Sequence, residues 1–160
     1  MDTKRTLAHR IALLDFCKSK TWTSPHAVTL TLKVGSQIGG AWHTLTQYEA
    51  QQNLRHWLNV LRKKLVRLGF AKDGELQRVP IFEGREHEVR PHYHLMLDKP
   101  DCIETPQYES LIRYEWQRTR WGHQRVTVDA CYDEDGWLRY ISKLRTKEQY
   151  ADSIDWTNFR

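Results

Sequence analysis

The 160 residues read as an α+β chain: an antiparallel central sheet with helices packed on one face, in a ferredoxin-like or split-βαβ arrangement. Strand-period and helix-period segments alternate along the chain, after an initial helix, as strand, helix, strand, strand, helix, strand, helix. A charged, glycine-led tract, "GREHEVRP", joins two of the strands as a hairpin. No internal repeat, low-complexity tract or long linker divides the sequence, so residues 1–160 are expected to form one domain, with its core at about 27–147.

The elements follow in order. Leu7, Ile11, Leu14 and Cys17 recur at helical spacing among charges, which predicts an amphipathic helix over 3–20 laid on the body. "HAVTLTLK" alternates strictly, Val28, Leu30 and Leu32 on one face and Thr29, Thr31 and Lys33 on the other, as a half-buried strand does. Gly35, Gly39 and Gly40 end it in a loop. From Thr46 to Leu68 an apolar stripe of Trp57, Leu58, Leu61, Leu65 and Leu68 lies opposite Arg55, Arg62, Lys63 and Arg67, a second amphipathic helix. Gly69 and the pair Asp73-Gly74 close that helix and open strands at about Arg78–Glu83 and His92–Leu97. Tyr108, Leu111, Ile112 and Trp116 mark a helix begun near Pro106 and stopped at Gly122. "QRVTVDA" alternates as a strand, and Asp133 to Asp135 supply capping acids for a last helix over about 136–147.

Composition narrows the classes. With 39% hydrophobic residues and mean hydropathy of −0.74 the chain is that of a globular protein, with no apolar run long enough to span a membrane, so a cytoplasmic location is expected. Three cysteines without a C-x-x-C pair write neither a disulfide framework nor a cysteine zinc site. The net charge of +5 is uneven: residues 1–72 hold 12 Lys and Arg against 3 Asp and Glu, the remainder 13 against 17. A basic half suits a polyanion such as nucleic acid.

The stretch "RPHYHLMLD" carries the chemistry. Alternation places His92, His94 and Met96 on one face and Tyr93, Leu95 and Leu97 on the other, which is the core face. The histidines therefore project from the face the core does not use, near enough to share one divalent ion, although strand histidines also serve as ordinary hydrogen-bonded residues. Glu83, at the end of the preceding strand, is brought beside them by the hairpin and is the candidate third ligand; its face is left open, because Val79 and Ile81 share its parity. His87, in the loop, is a weaker candidate. In "GWLRYISKLRTK", Trp137, Ile141 and Leu144 make the buried side of a helix while Tyr140, Lys143 and Lys147 cluster beside it. Cations near a phenol favour its phenolate, the better nucleophile.

Together, "RPHYHLML" with Glu83 upstream, then "YISK", with "VTLTLK" ahead of both, resemble the HUH endonucleases, specifically the single-tyrosine Rep-type initiators of rolling-circle replication. The resemblance spans about residues 27–147. It implies that Glu83, His92 and His94 bind one Mg²⁺ or Mn²⁺, that Tyr140 is the nucleophile with Lys143 its helper, and that Thr29 and Thr31 are structural or close to DNA. It further implies nicking and rejoining of single-stranded DNA at a replication origin, including a hairpin form, through a 5′-phosphotyrosine, with a host helicase and polymerase as partners. Lys33, Arg55, Lys63, Arg67, Arg90 and Lys147 are candidate DNA contacts, and Trp42 or His43 could stack on an unpaired base. No Walker-type G-x-x-x-x-G-K-[ST] occurs, so no helicase domain is expected, and Tyr150 is too distant to act as a second nucleophile. A transposase of the same superfamily, a zinc hydrolase and a non-catalytic DNA-binding module are the competing readings.

Overall fold

The computed structural model describes residues 3–72, 76–84, 90–143 and 153–160. Ten elements run in the order α1 (Thr3–Ser19), β1 (Pro25–Leu32), β2 (Gly35–Ile38), β3 (Ala41–Thr44), α2 (Gln47–Arg67), β4 (Arg78–Glu83), β5 (His92–Asp98), α3 (Thr105–Gln117), β6 (Gly122–Ala130) and α4 (Glu134–Ile141). Four strands form an antiparallel sheet ordered β4-β5-β1-β6, and the α+β class read from the sequence holds.

One face of the sheet packs as the alternation of β1 demands. Val28, Leu30, Leu32, Tyr93, Leu95 and Leu97 are buried in one cluster with Trp57, Leu58 and Leu61 of α2 and Tyr108, Ile112 and Trp116 of α3. Trp57 and Trp116 meet edge to face at 5.7 Å, and the Trp116 indole N–H donates to Thr31 O at 2.8 Å, tying α3 to β1. A capping box starts α2: Thr46 Oγ1 accepts from Glu49 N–H at 3.2 Å, and Glu49 Oε2 accepts from Thr46 N–H at 2.9 Å.

The other face differs from the expected open one. Val79, Ile81 and Met96 are buried there against Leu13 and Cys17 of α1, Leu138 and Ile141 of α4, and Ile154 and Phe159 near the C-terminus. The apolar seam of α1 is shorter than its sequence stripe suggests: Leu14 packs beside Leu13 and Cys17, while Leu7 and Ile11 are exposed. Helical cover thus lies on both faces rather than one, and β5 is buried along most of its length, the signature of a strand packed on both sides. Residues 153–160 also cap the edge of β4: Ile154 bridges Ile81, and Arg78 and Arg160 exchange backbone hydrogen bonds at 2.9 and 3.2 Å. Buried Asp155 accepts from the Tyr93 hydroxyl at 3.1 Å, and burial together with that carboxylate pushes the phenol well above its ordinary value.

Two further differences are local. The loop expected at Gly35–Gly40 is a hairpin, β2 against β3, turned at Gly39 and Gly40, whose φ of 58° and 83° only glycine adopts without strain. Its four-residue strands carry too little alternation to announce themselves. The last helix starts at Glu134, capped by Asp133 Oδ1 accepting from Gly136 N–H at 2.8 Å, and runs to Ile141 with Ser142 as its C-cap; the expected stretch from 144 to 147 lies outside the described residues. Asp73, Gly74, His87, Leu144, Lys147 and Tyr150 lie outside the described residues. No described helix is long and apolar enough to cross a membrane.

Candidate metal centre and the tyrosine helix

Strand register decides which side chains meet. β4 pairs Glu83 with His92 and Ile81 with His94, and β1 pairs Thr31 with His92 and Thr29 with His94. Directly paired residues of an antiparallel sheet point to the same side, so Glu83, His92, His94 and both threonines share one face. The register thereby settles the side on which Glu83 stands.

The three candidate ligands converge. His92 Nε2 lies 3.1 Å from His94 Nε2, and each is 3.2 Å from Glu83 Oε2. The side chains of His92, His94 and Glu83 are only 15, 9 and 11% exposed. Hydrogen bonding explains the orientation of the rings. His92 Nδ1 is 2.8 Å from Arg90 O, which can only accept, so Nδ1 carries the proton and a neutral ring presents a bare Nε2. His94 Nδ1 lies 3.0 Å from Thr29 Oγ1, and the tautomer that donates to this hydroxyl also leaves Nε2 bare. Three lone-pair atoms so placed repel one another unless positive charge sits among them. Ligand atoms bonded at right angles to one ion at about 2.1 Å are about 3.0 Å apart, so the spacing fits a divalent cation. Two imidazoles and one carboxylate make a mixed nitrogen and oxygen donor set that could hold a divalent ion.

Tyr140 reaches this cluster from α4. The Trp137 indole N–H donates to Leu95 O at 3.1 Å, pinning the helix to β5 beside the histidines. The Tyr140 ring stacks on Trp137 with centroids 5.4 Å apart at 21°, and both rings stand edge to face against His94, at 5.6 and 5.5 Å. Tyr140 remains 49% exposed despite these contacts. Lys143 lies just past the helix end, with Nζ 4.3 Å from the Tyr140 centroid: the cation sits over the ring face rather than on a continuing helical turn.

The basic residues divide. Arg55, Lys63 and Arg67 occupy the solvent side of α2, and the sheet stands between them and the cluster. Lys33 and Arg90 are at the cluster's end of the sheet, where Leu32 N–H donates to Pro91 O and Lys33 N–H to Trp121 O, both at 2.9 Å. Arg125 and His123 join them there; neither figures among the residues read from the sequence, although their place in "GHQRVTV" beside an expected strand is a usable signal. Desolvation, then Arg90, Arg125 and Lys33, hold the His123 imidazole below its ordinary value. Trp42 is exposed on the hairpin and lies so close over Gly35 that a Cβ there would come within 2.5 Å of the indole. His43 is paired with Glu49 at 2.9 Å.

The family model for the replication-associated protein of the ORF2 type matches residues 25–149, which include β1, all three candidate ligands and Tyr140. No curated protein and no solved structure matches the chain.

Proposed function

This chain belongs to the ORF2-type replication-associated protein family, rolling-circle Rep proteins of the HUH endonuclease superfamily, and we propose that it nicks and rejoins single-stranded DNA at a replication origin through Tyr140. One observation supports this most: a tyrosine distant in sequence is packed at 5.6 Å against a histidine of a three-ligand cluster. A zinc hydrolase, which attacks with bound water, has no use for that tyrosine.

In this reading Glu83, His92 and His94 hold a Mg²⁺ or Mn²⁺ ion, which when bound supplies Lewis-acid polarisation of the scissile phosphate. Arg90 O and Thr29 fix the two imidazoles so that no ligand must reorient. Trp137 holds the Tyr140 ring in place on the cluster's flank. The Tyr140 oxygen bonds to phosphorus as its proton leaves, and the bond from phosphorus to the 3′ oxygen breaks, that oxygen taking up a proton. The products are a 5′-phosphotyrosine and a free 3′-OH, which a host polymerase, with a host helicase, would extend. Because a phosphodiester is exchanged for a phosphotyrosine, a later 3′-OH can reverse the step and reseal the strand. Lys143 stabilises charge developing on the phenol. Lys33 and Arg90, with Arg125, guide the flanking strand, whereas Arg55, Lys63 and Arg67 lie on the other side of the sheet from the cluster. The described residues would act as one nickase domain in the cytoplasm.

The test is metal-dependent cleavage. Labelled single-stranded origin DNA from the native replicon, incubated with Mn²⁺, should give a band retarded by covalent protein on a denaturing gel. Chelation, or replacing both His92 and His94 by Ala, should abolish it while the fold is kept. Undiminished cleavage by the folded double variant would overturn the metal assignment.

A further inference from the structure

The matched family region begins at residue 25, and α1 lies wholly before it. Yet α1 reaches the tyrosine helix. The Arg10 guanidinium donates from Nη2 to Arg139 O at 3.1 Å and from Nε to Ser142 Oγ at 3.5 Å, two acceptors that flank Tyr140 in sequence. Ser142 is buried and its own hydroxyl donates to Leu138 O at 2.5 Å; backbone N–H groups of Ser142 and Lys143 reach Leu138 O and Tyr140 O, and Arg10 supplies the side-chain donor to Arg139 O between them.

That end needs outside support. α4 has 8 residues, about two turns, too few to stay helical on their own. Its start is capped by Asp133 and its middle is pinned through Trp137 to Leu95. The turn bearing Tyr140 falls after both. The guanidinium satisfies one of the last four carbonyls, Arg139 O, and opposes the negative end of the helix dipole. The remaining contacts give α1 a fixed placement: Leu13 and Cys17 share a buried cluster with Leu138 and Ile141, and Lys18 lies 3.6 Å from Asp135 near the opposite end of α4. α1 therefore runs antiparallel to α4 with one polar tie at each end. The exposed Lys18 pair contributes little, whereas Arg10 is half-buried and engages backbone.

We infer that α1 is part of the nicking machinery, with Arg10 a positioning residue that holds the last turn of α4, and hence Tyr140, in register with the histidine cluster. The inference rests on the nickase reading for its activity readout, and its structural readout is independent of it. Full-length Arg10→Gln and Arg10→Lys are compared with the parent in single-turnover adduct formation with Mn²⁺. Affinity for Mn²⁺ and for an uncleavable oligonucleotide is measured separately, as is amide hydrogen exchange. Arg10→Gln is expected to slow adduct formation on the order of tenfold with both affinities within about twofold of the parent, and Arg10→Lys, which keeps the charge without the fork, to fall between. Exchange should quicken at 138–143 and stay unchanged in β1 and β5. Parental rate and parental exchange in Arg10→Gln would overturn the inference. So would quickened exchange throughout the sheet in both variants, since Arg10 would then be holding the whole fold. If the parent itself forms no adduct the nickase reading fails, and exchange at 138–143 alone then decides whether Arg10 clamps α4.

Discussion

Replacing Thr29 by Val isolates the hydrogen bond that orients His94. The substitution keeps the β-branched shape of a strand residue and removes only Oγ1, which lies 3.0 Å from His94 Nδ1. The His94 side chain is 9% exposed, so its Nδ1 cannot turn freely to water. Leaving such a group unpaired costs about 1–3 kcal/mol. The ring can recover part of that cost by moving the proton to Nε2, which puts a hydrogen where the ligand lone pair should be. Either route weakens the site, and loss of a partner behind a ligating histidine lowers metal affinity by about 10–100-fold. Calorimetric titration of Mn²⁺ into parent, Thr29→Val and Thr29→Ser should show that loss in the Val variant and recovery in the Ser variant. Thr31→Val supplies the contrast. Thr31 also faces His92 across the strands, but His92 draws its orientation from Arg90 O, so affinity should hold. Equal Mn²⁺ affinity in Thr29→Val and parent would refute the orienting role and, with it, the assignment of the His94 tautomer.

Charge reversal should separate the two basic surfaces. Lys33→Glu with Arg90→Glu should weaken binding of single-stranded DNA by about tenfold or more and flatten its salt dependence, while Lys63→Glu with Arg67→Glu should leave cleavage near parental; gel-shift titrations at several salt concentrations decide, and equal losses would contradict the division. His123 should titrate below 6.5 by NMR in the free protein, because desolvation and then Arg90, Arg125 and Lys33 disfavour its cation. The folded state then binds fewer protons at this site than the unfolded chain, so its contribution to stability falls as pH drops through 6.5 toward the lowered value and is not lost above it. Phosphate placed among those cations should move the titration upward, and a midpoint at or above 6.5 in the free protein would contradict the cluster.

Much of this arrangement is legible in the residues themselves. The strict alternation of "HAVTLTLK" and the stripe from Trp57 to Leu65 place β1 and α2 correctly, and Thr46 with Glu49 writes the cap that starts α2. His92 and His94 share a face by parity alone. The side of Glu83 is not legible, because Val79 and Ile81 are equally at home in either core and only pairing across the hairpin decides. The second core is harder still, being assembled from three separated pieces, α1, α4 and residues 153–160, each too short or too mixed in polarity to declare a partner. Met96 is the available clue: an apolar residue in phase with two histidines marks a face only partly given to the site. Arg10 is invisible for another reason. Its acceptors are a backbone carbonyl and a serine more than 120 residues away, and a sequence pattern does not record backbone acceptors.

The most direct measurement is mass spectrometry of the protein–DNA adduct after exhaustive nuclease and trypsin digestion. Residual 5′-phosphorylated nucleotide is expected on the peptide Tyr140–Lys143, on the Tyr140 oxygen, with no adduct from Tyr140→Phe. Nucleotide on any other residue, or an adduct that persists at parental yield in Tyr140→Phe, would contradict the nucleophile assignment.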